Sequence, residues 1–330
     1  MTDTALDVLA IGNAIVDVIA DADDAFLDAQ GLAKGSMRLI DEGEAERLYA
    51  LMGPGREASG GSAGNTAAGL AALGIRTGFI GQVADDQLGA IYRHDIRSLG
   101  VTFDTPVRSD VGATARCLIL VTPDAQRTMN TFLGAAQQLP PQAIDLDQVR
   151  SAAILYLEGY LWDPEVPRAA MEAAIGAARE AGRKVAFTLS DTFCVERHRD
   201  GFHRLLDEKK VDILFANEAE LAAMTGKDEF EAGLAALSAK APLLVVTRSD
   251  KGAVAVAGAE RAEVPAEPIA RLVDTTGAGD LFAAGFLAGQ ARGLDLEKSL
   301  KLGAIAAAEV IQHYGARPEK DLKALAGGIL

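Results

Sequence analysis

Cysteine is almost missing from this 330-residue chain: Cys117 and Cys194 are the whole complement. Two thiols cannot build a metal cluster by themselves, and they fit a reduced interior better than a disulfide framework. Excess positive charge is missing too. The 47 acidic side chains outnumber the 32 lysines and arginines, a net charge of -15. That balance argues against a nucleic-acid or anionic-membrane surface, because phosphate backbones attract basic patches. A small anionic ligand stays admissible, since backbone N–H groups and a few local cations suffice to hold it. No apolar stretch reaches the roughly 18 residues of a membrane span. No signal peptide precedes the first strand-like run; the start, Met1-Thr2-Asp3-Thr4, is acidic, and the expected location is the cytoplasm. His94, His198, His203 and His313 show neither ligand nor triad spacing and read as structural.

What is present is ample core material, 49% apolar and 24% charged. Leu6 to Gly12 reads as a buried strand, and Ala14 to Ala20 continues as a more exposed one. Gly60-Gly61-Ser62 is a loop, Ser62 to Leu73 a helix stopped by Gly74, Thr77 to Val83 a strand, and Asp86 to Leu99 an amphipathic helix. Val101 to Phe132 carries short β-prone pieces and no helical period, which suggests an added small sheet. From Ala152 onward strands alternate with helices: Ala153 to Leu157, Pro167 to Ala181, Val185 to Leu189, Asp200 to Glu208, Ile213 to Ala216, Glu218 to Met224, Leu243 to Thr247, and Asp280 to Gly293. The alternation predicts a mostly parallel sheet with helices on both faces. The expected whole is one α/β domain over 1–330, with lid strands drawn from about 13–40 and 101–132.

The most informative segment is Val273-Asp274-Thr275-Thr276-Gly277-Ala278-Gly279-Asp280. Gly277, Ala278 and Gly279 offer unhindered N–H groups at a helix start, where free donors and the macrodipole favour an anion. A carboxylate at the same place suits an alcohol about to attack: Asp280 takes the proton while the amides hold a transferring phosphoryl group. The plainer reading makes Asp280 a helix N-cap and the glycines a tight turn.

That segment resembles the C-terminal signature of the PfkB (ribokinase) carbohydrate kinases, Asp-Thr-x-Gly-Ala-Gly-Asp. Gly60-Gly61-Ser62-Ala63-Gly64-Asn65 resembles the family's N-terminal Gly-Gly-x-x-x-Asn element. Asn217-Glu218-Ala219-Glu220 resembles its Asn-x-x-Glu element, and Thr247 to Gly252 its Thr-x-x-x-x-Gly turn. The four occur in family order and span nearly the whole chain. The resemblance implies a ribokinase-like three-layer α/β/α fold with a small β-sheet lid, and an ATP-dependent kinase in which Asp280 is the base and Gly277, Ala278 and Gly279 the anion hole. It implies that Asn217 and Glu220 organise Mg²⁺ and phosphate, largely through water, and that Thr247 and Gly252, with Gly277 and Gly279, line the nucleotide. Asp274 and Thr276 would border a monovalent cation such as K⁺. From the residues alone, Asn217 equally fits a helix cap, Glu220 a solvated first-turn acid, and 247–252 a strand-end turn.

On the acceptor side, Asp17 suits vicinal hydroxyls, since a carboxylate accepts two hydrogen bonds. Asn13, Asn65 and the Gly61 backbone complete the expected ribose contacts, and Arg127 is the cation expected to meet the transferring phosphate. Gly12 to Asp17, Thr131 to Ala136 and Val211 to Glu218 resemble adenosine kinases more than ribokinases or fructokinases. Met37, Leu39, Leu133 and Tyr160 could form an apolar slot for a base. Ser62-Ala63-Gly64 departs by being smaller than many versions of its element. The expected partners are therefore ATP and a small nucleoside, adenosine first, with guanosine, inosine, ribose or fructose as alternatives and no nucleic acid or membrane; the chain would act as a monomer or homodimer. Other kinase machinery is incomplete: there is no Gly-x-x-x-x-Gly-Lys-Ser/Thr, and no Asp-Phe-Gly accompanies the triplet His198-Arg199-Asp200. A dehydrogenase is disfavoured because Gly-x-Gly-x-x-Gly does not follow the first strand. A catalytically silent nucleoside or nucleotide sensor is the rival of another class.

Overall fold

The computed structural model describes residues 5–124 and 126–330; the acidic lead-in Met1 to Thr4 lies outside them. In chain order the strands are β1 (Leu6–Ile11), β2 (Ile15–Asp21), β3 (Met37–Leu39), β4 (Gly55–Gly60), β5 (Thr77–Ile80), β6 (Ala115–Val121) and β7 (Arg127–Phe132). They continue with β8 (Ala152–Glu158), β9 (Lys184–Thr188), β10 (Ile213–Asn217), β11 (Leu243–Thr247), β12 (Ala253–Ala257) and β13 (Glu260–Val264). Two sheets result. The larger runs β13-β12-β11-β10-β9-β8-β1-β5, and the smaller β3-β7-β6-β2-β4.

From β11 to β5 the large sheet is parallel. Such strands bury both faces and read as continuous apolar runs. Along β1, Val8 and Ala10 join one core, while Leu6, Leu9 and Ile11 join the other. The first core packs under the helices Ser62–Ala72, Ala278–Ala291 and Leu296–Val310; the second packs under Glu165–Glu180 and Thr192–Asp207. This is the expected three-layer arrangement. β12 and β13 turn back antiparallel. The sequence reading left this hairpin out, although Gly258, at φ 60°, supplies the left-handed residue its two-residue turn requires.

The small sheet corrects the expected lid boundaries. Its edge strand β4 comes from residues 55–60, outside the expected 13–40 and 101–132, while 101–114 holds no strand of that sheet. Gly55, Gly60 and the polar Arg56-Glu57 pair hide the strand from a hydrophobic pattern; partner β2, not burial, defines it. Strand alternation then sorts the β2–β6–β7 faces. Ile15, Asp17, Cys117, Ile119, Met129 and Thr131 face the large sheet's cleft, and Val16, Val18, Leu118 and Leu120 face away into the core.

Candidate active site

The two sheets enclose a cleft of about 400 Å³. Its floor is the C-terminal ends of the parallel strands, where Tyr156, Thr188, Asn217 and Thr247 emerge. Such an edge is where open α/β sheets bind ligands.

The glycine turn forms one wall. Gly277, at φ 79°, is the N-cap of the helix Ala278–Ala291, and no side chain caps that helix, so its first-turn amides have no side-chain acceptor. A Cβ at Gly277 would lie 2.6 Å from the Ala316 side chain, whereas one at Gly279 would meet no atom within 4 Å. Asp280 therefore sits inside the first turn and is not the cap, which removes the plainer reading. Its carboxylate accepts from Ser62 Oγ at 2.6 Å and Asn65 Nδ2 at 2.9 Å. Burial raises its pKa; those two bonds and the charge of Arg317 pull it back.

The opposite wall begins at a double glycine. A Cβ on Gly60 would lie 2.5 Å from Asp17 Oδ2, and one on Gly61, at φ 82°, 2.1 Å from the Asn13 carbonyl. Only glycines allow the chain to turn here from β4 into the helix Ser62–Ala72 while Asp17 faces the cleft. Burial raises Asp17 to about 6, against the pull of Arg317 and Arg127.

Of the residues singled out from sequence, Asp17, Gly61, Asn65, Tyr160, Asn217, Glu220, Thr247, Thr276, Gly277, Ala278, Gly279 and Asp280 all line this cleft. Others are placed elsewhere. Asn13 is buried and turned onto Glu158, whose carboxylate accepts from Asn13 N and Nδ2, both at 2.7 Å. Met37 and Leu39 lie exposed on the outermost strand β3, Leu133 precedes a short 3₁₀ turn, and Gly252 (φ 88°) packs against the Val264 carbonyl. Arg127 does not line the cleft; it forms a buried ion pair with Asp274 at 2.8 Å. Asp274 also accepts from Thr276 N and Oγ1 and from Gly315 N. Its carboxylate is thus fully engaged, and a cation there would have to be held by other oxygens.

Asn217 and Glu220 form a reciprocal capping box on the helix Glu218–Thr225. They line the cleft as well, so the structural and functional readings coincide. Glu220 is pushed up to about 7, burial outweighing its bond from Asn217. Among the described residues no group of three or more His, Cys, Asp or Glu could hold a metal. This donor set fits an ion that keeps its water and arrives with phosphate oxygens, which is how Mg²⁺ binds.

Three participants escaped the sequence reading. Ser62 lay inside a quoted motif but was noted only for its size. Glu158 is fully buried and also accepts from Ala63 N at 2.7 Å; burial pushes it up to about 7. A lone acid ending the apolar run of β8 was its signal. Arg317, in a loop with no motif, gave none.

The model of the pfkB family carbohydrate kinases matches residues 28–322. The chain belongs to that family. An adenosine kinase from Sinorhizobium meliloti superposes with a TM-score of 0.90 at 50% identity, covering 97% of this chain and 98% of that one. A probable sugar kinase from Rhizobium etli gives 0.92 at 47% identity, covering 99% and 100%. An ATP-dependent ribose-1-phosphate kinase of Halopiger xanaduensis is 32% identical over 282 residues, 82% of this chain and 86% of that protein. This pfkB chain is accordingly a carbohydrate or nucleoside kinase with a ribokinase-like fold, and the family implies ATP as phosphate donor. No helix among the described residues is long and apolar enough to cross a membrane.

Proposed function

We propose that this kinase moves the γ-phosphate of ATP to the primary hydroxyl of a nucleoside, with adenosine the preferred acceptor. One observation carries the reading: Asp17 and Asp280 face one cleft, and the second of them adjoins uncapped helix amides. The acceptor hydroxyl gives its proton to Asp280 as its oxygen bonds the γ-phosphorus. The bond from that phosphorus to the β,γ-bridging oxygen breaks, and ADP leaves with the electron pair. The amides at 277–279 take up charge on the phosphoryl oxygens. Glu220 and Asn217 would orient hydrated Mg²⁺, which supplies charge neutralisation.

Two features support a hydroxyl-rich acceptor. The Asp17 carboxylate accepts no hydrogen bond among the described residues, and Asn65, with Nδ2 committed to Asp280, leaves buried Oδ1 without a donor. Both are acceptors and suit the hydroxyl donors of a ribose edge. The apolar strip of Ile15, Cys117, Ile119 and Met129 suits a base beyond the sugar. The adenosine kinase at 50% identity adds weight. The deciding experiment is ATP consumption against adenosine, guanosine, inosine, ribose and fructose. Adenosine is expected to give the highest kcat/KM. A faster free sugar overturns the nucleoside assignment, and no turnover with any alcohol favours a silent sensor.

A further inference from the structure

Arg317 lies in the loop after the helix Leu296–Val310, partly buried, and among the described residues its hydrogen bonds all go to uncharged oxygens. Nε donates to Ser59 O at 3.0 Å, Nη2 to Ser59 O and to Ser59 Oγ at 2.9 Å, and Nη1 to Gly64 O at 2.7 Å. A buried guanidinium normally takes a carboxylate partner, because desolvating its charge is costly. Here the charge is left for other groups. Asp17 and Asp280 feel it, and in turn these two and Asp95 favour the charged guanidinium against its burial.

The anchor points matter as much as the charge. Ser59 is in β4, directly before the double glycine; Gly64 is in the first turn of the helix Ser62–Ala72, between the two residues that bond Asp280. One planar fork thus spans the change from small sheet to helix. A lysine ammonium has no such span.

We propose that Arg317 is a positioning residue for phosphoryl transfer: it locks the 59–65 segment so that Ser62 and Asn65 stay on Asp280, and it supplies the positive charge that keeps Asp280 ionised beside other carboxylates. Those neighbours are Asp17 from β2 and Glu158 from β8, with the neutral phenol of Tyr156 alongside. Each carboxylate raises its neighbours, so a fixed cation is required if all are to ionise near neutrality. This inference rests on Asp280 being the base.

The test is the pH profile of kcat with adenosine and ATP, with Tm recorded for every variant. Removing a cation raises a nearby carboxyl, so Arg317→Met should move the acid limb up by about one pH unit. Arg317→Lys keeps charge but not the fork: its acid limb should stay in place while kcat falls about tenfold. An unmoved limb in folded Arg317→Met, or a displaced limb in Arg317→Lys, overturns the proposal. If the Met variant does not fold, the Lys variant decides alone. Asp280→Asn in the same assay separates the two claims. Retained turnover there defeats the base assignment, whereas lost turnover with an unmoved Arg317→Met limb defeats only the role of Arg317.

Discussion

Arg127 of the small sheet and Asp274 of the glycine turn form a buried ion pair at 2.8 Å, each side chain 7% exposed. The pair ties the small sheet to the glycine turn and leans on Tyr314, whose ring centroid is 5.3 Å from the guanidinium carbon. Removing one member strands a buried charge. Arg127→Met is expected to cost about 3–5 kcal/mol, read as a lower urea midpoint at unchanged slope; a loss under about 1 kcal/mol would show the pair to be dispensable.

Asp280→Asn keeps the shape of the site but takes away the proton acceptor. Turnover should fall by about 10² to 10⁴-fold with adenosine and ATP binding largely kept. Initial rates and calorimetric titrations check both halves, and near-normal turnover removes Asp280 from its role.

Asp17→Ala should act on the acceptor instead. Losing hydrogen bonds to a charged group weakens binding by about 1.5–3 kcal/mol, about 10- to 100-fold in Kd. Unchanged adenosine affinity would refute the ribose assignment.

Water must be kept from the γ-phosphate while both substrates are held, and the small sheet over the cleft is suited to that. ATP hydrolysis without acceptor should run at least about 10²-fold slower than transfer. Equal rates would count heavily against closure.

Burial sets a pH dependence of stability. It raises Asp17 to about 6 from 3.8, and Glu158 and Glu220 to about 7 from 4.5. The folded chain therefore holds more protons than the unfolded chain between about pH 4 and 7, and the stability this confers is lost as pH rises through that window. Carboxylates held low by cations, such as Glu44 and Asp124 at about 2, act below it. The Tm of the ligand-free protein is expected to drop between about pH 5 and 8; a rise across that span would contradict the burial of these groups.

The fold was legible because parallel strands announce themselves. Leu6 to Ile11, apart from Asp7, and Leu243 to Val246 are apolar and buried on both faces, and glycine stops such as Gly74 and Gly226 punctuate the helices. β4 was not legible, since Gly55 to Gly60 has almost nothing to bury and is a strand only through its pairing with β2. The site divides the same way. Asp280, Asn65 and Asp17 sit in local patterns whose spacing carries chemistry, so sequence alone reached them. Glu158 and Arg317 act on residues 145 and 258 positions away in the chain, and no local pattern encodes such contacts. Arg127 shows the same limit: its charge is visible in the sequence, its ion pair with Asp274 is not.

Glu158 holds Asn13 and Ala63, and so fastens in one spot two of the crossings by which the chain passes between the sheets. Swinging of the smaller sheet would turn about that axle and not slide past it. β2 and β4, beside the axle, would hardly move, whereas β3, three strands beyond β2, rides on a lever arm of about 14 Å. A ten-degree turn, about 2 Å at that radius, would carry Met37 and Leu39 through the longest arc, and the bridge it would have to break first is Arg127 to Asp274.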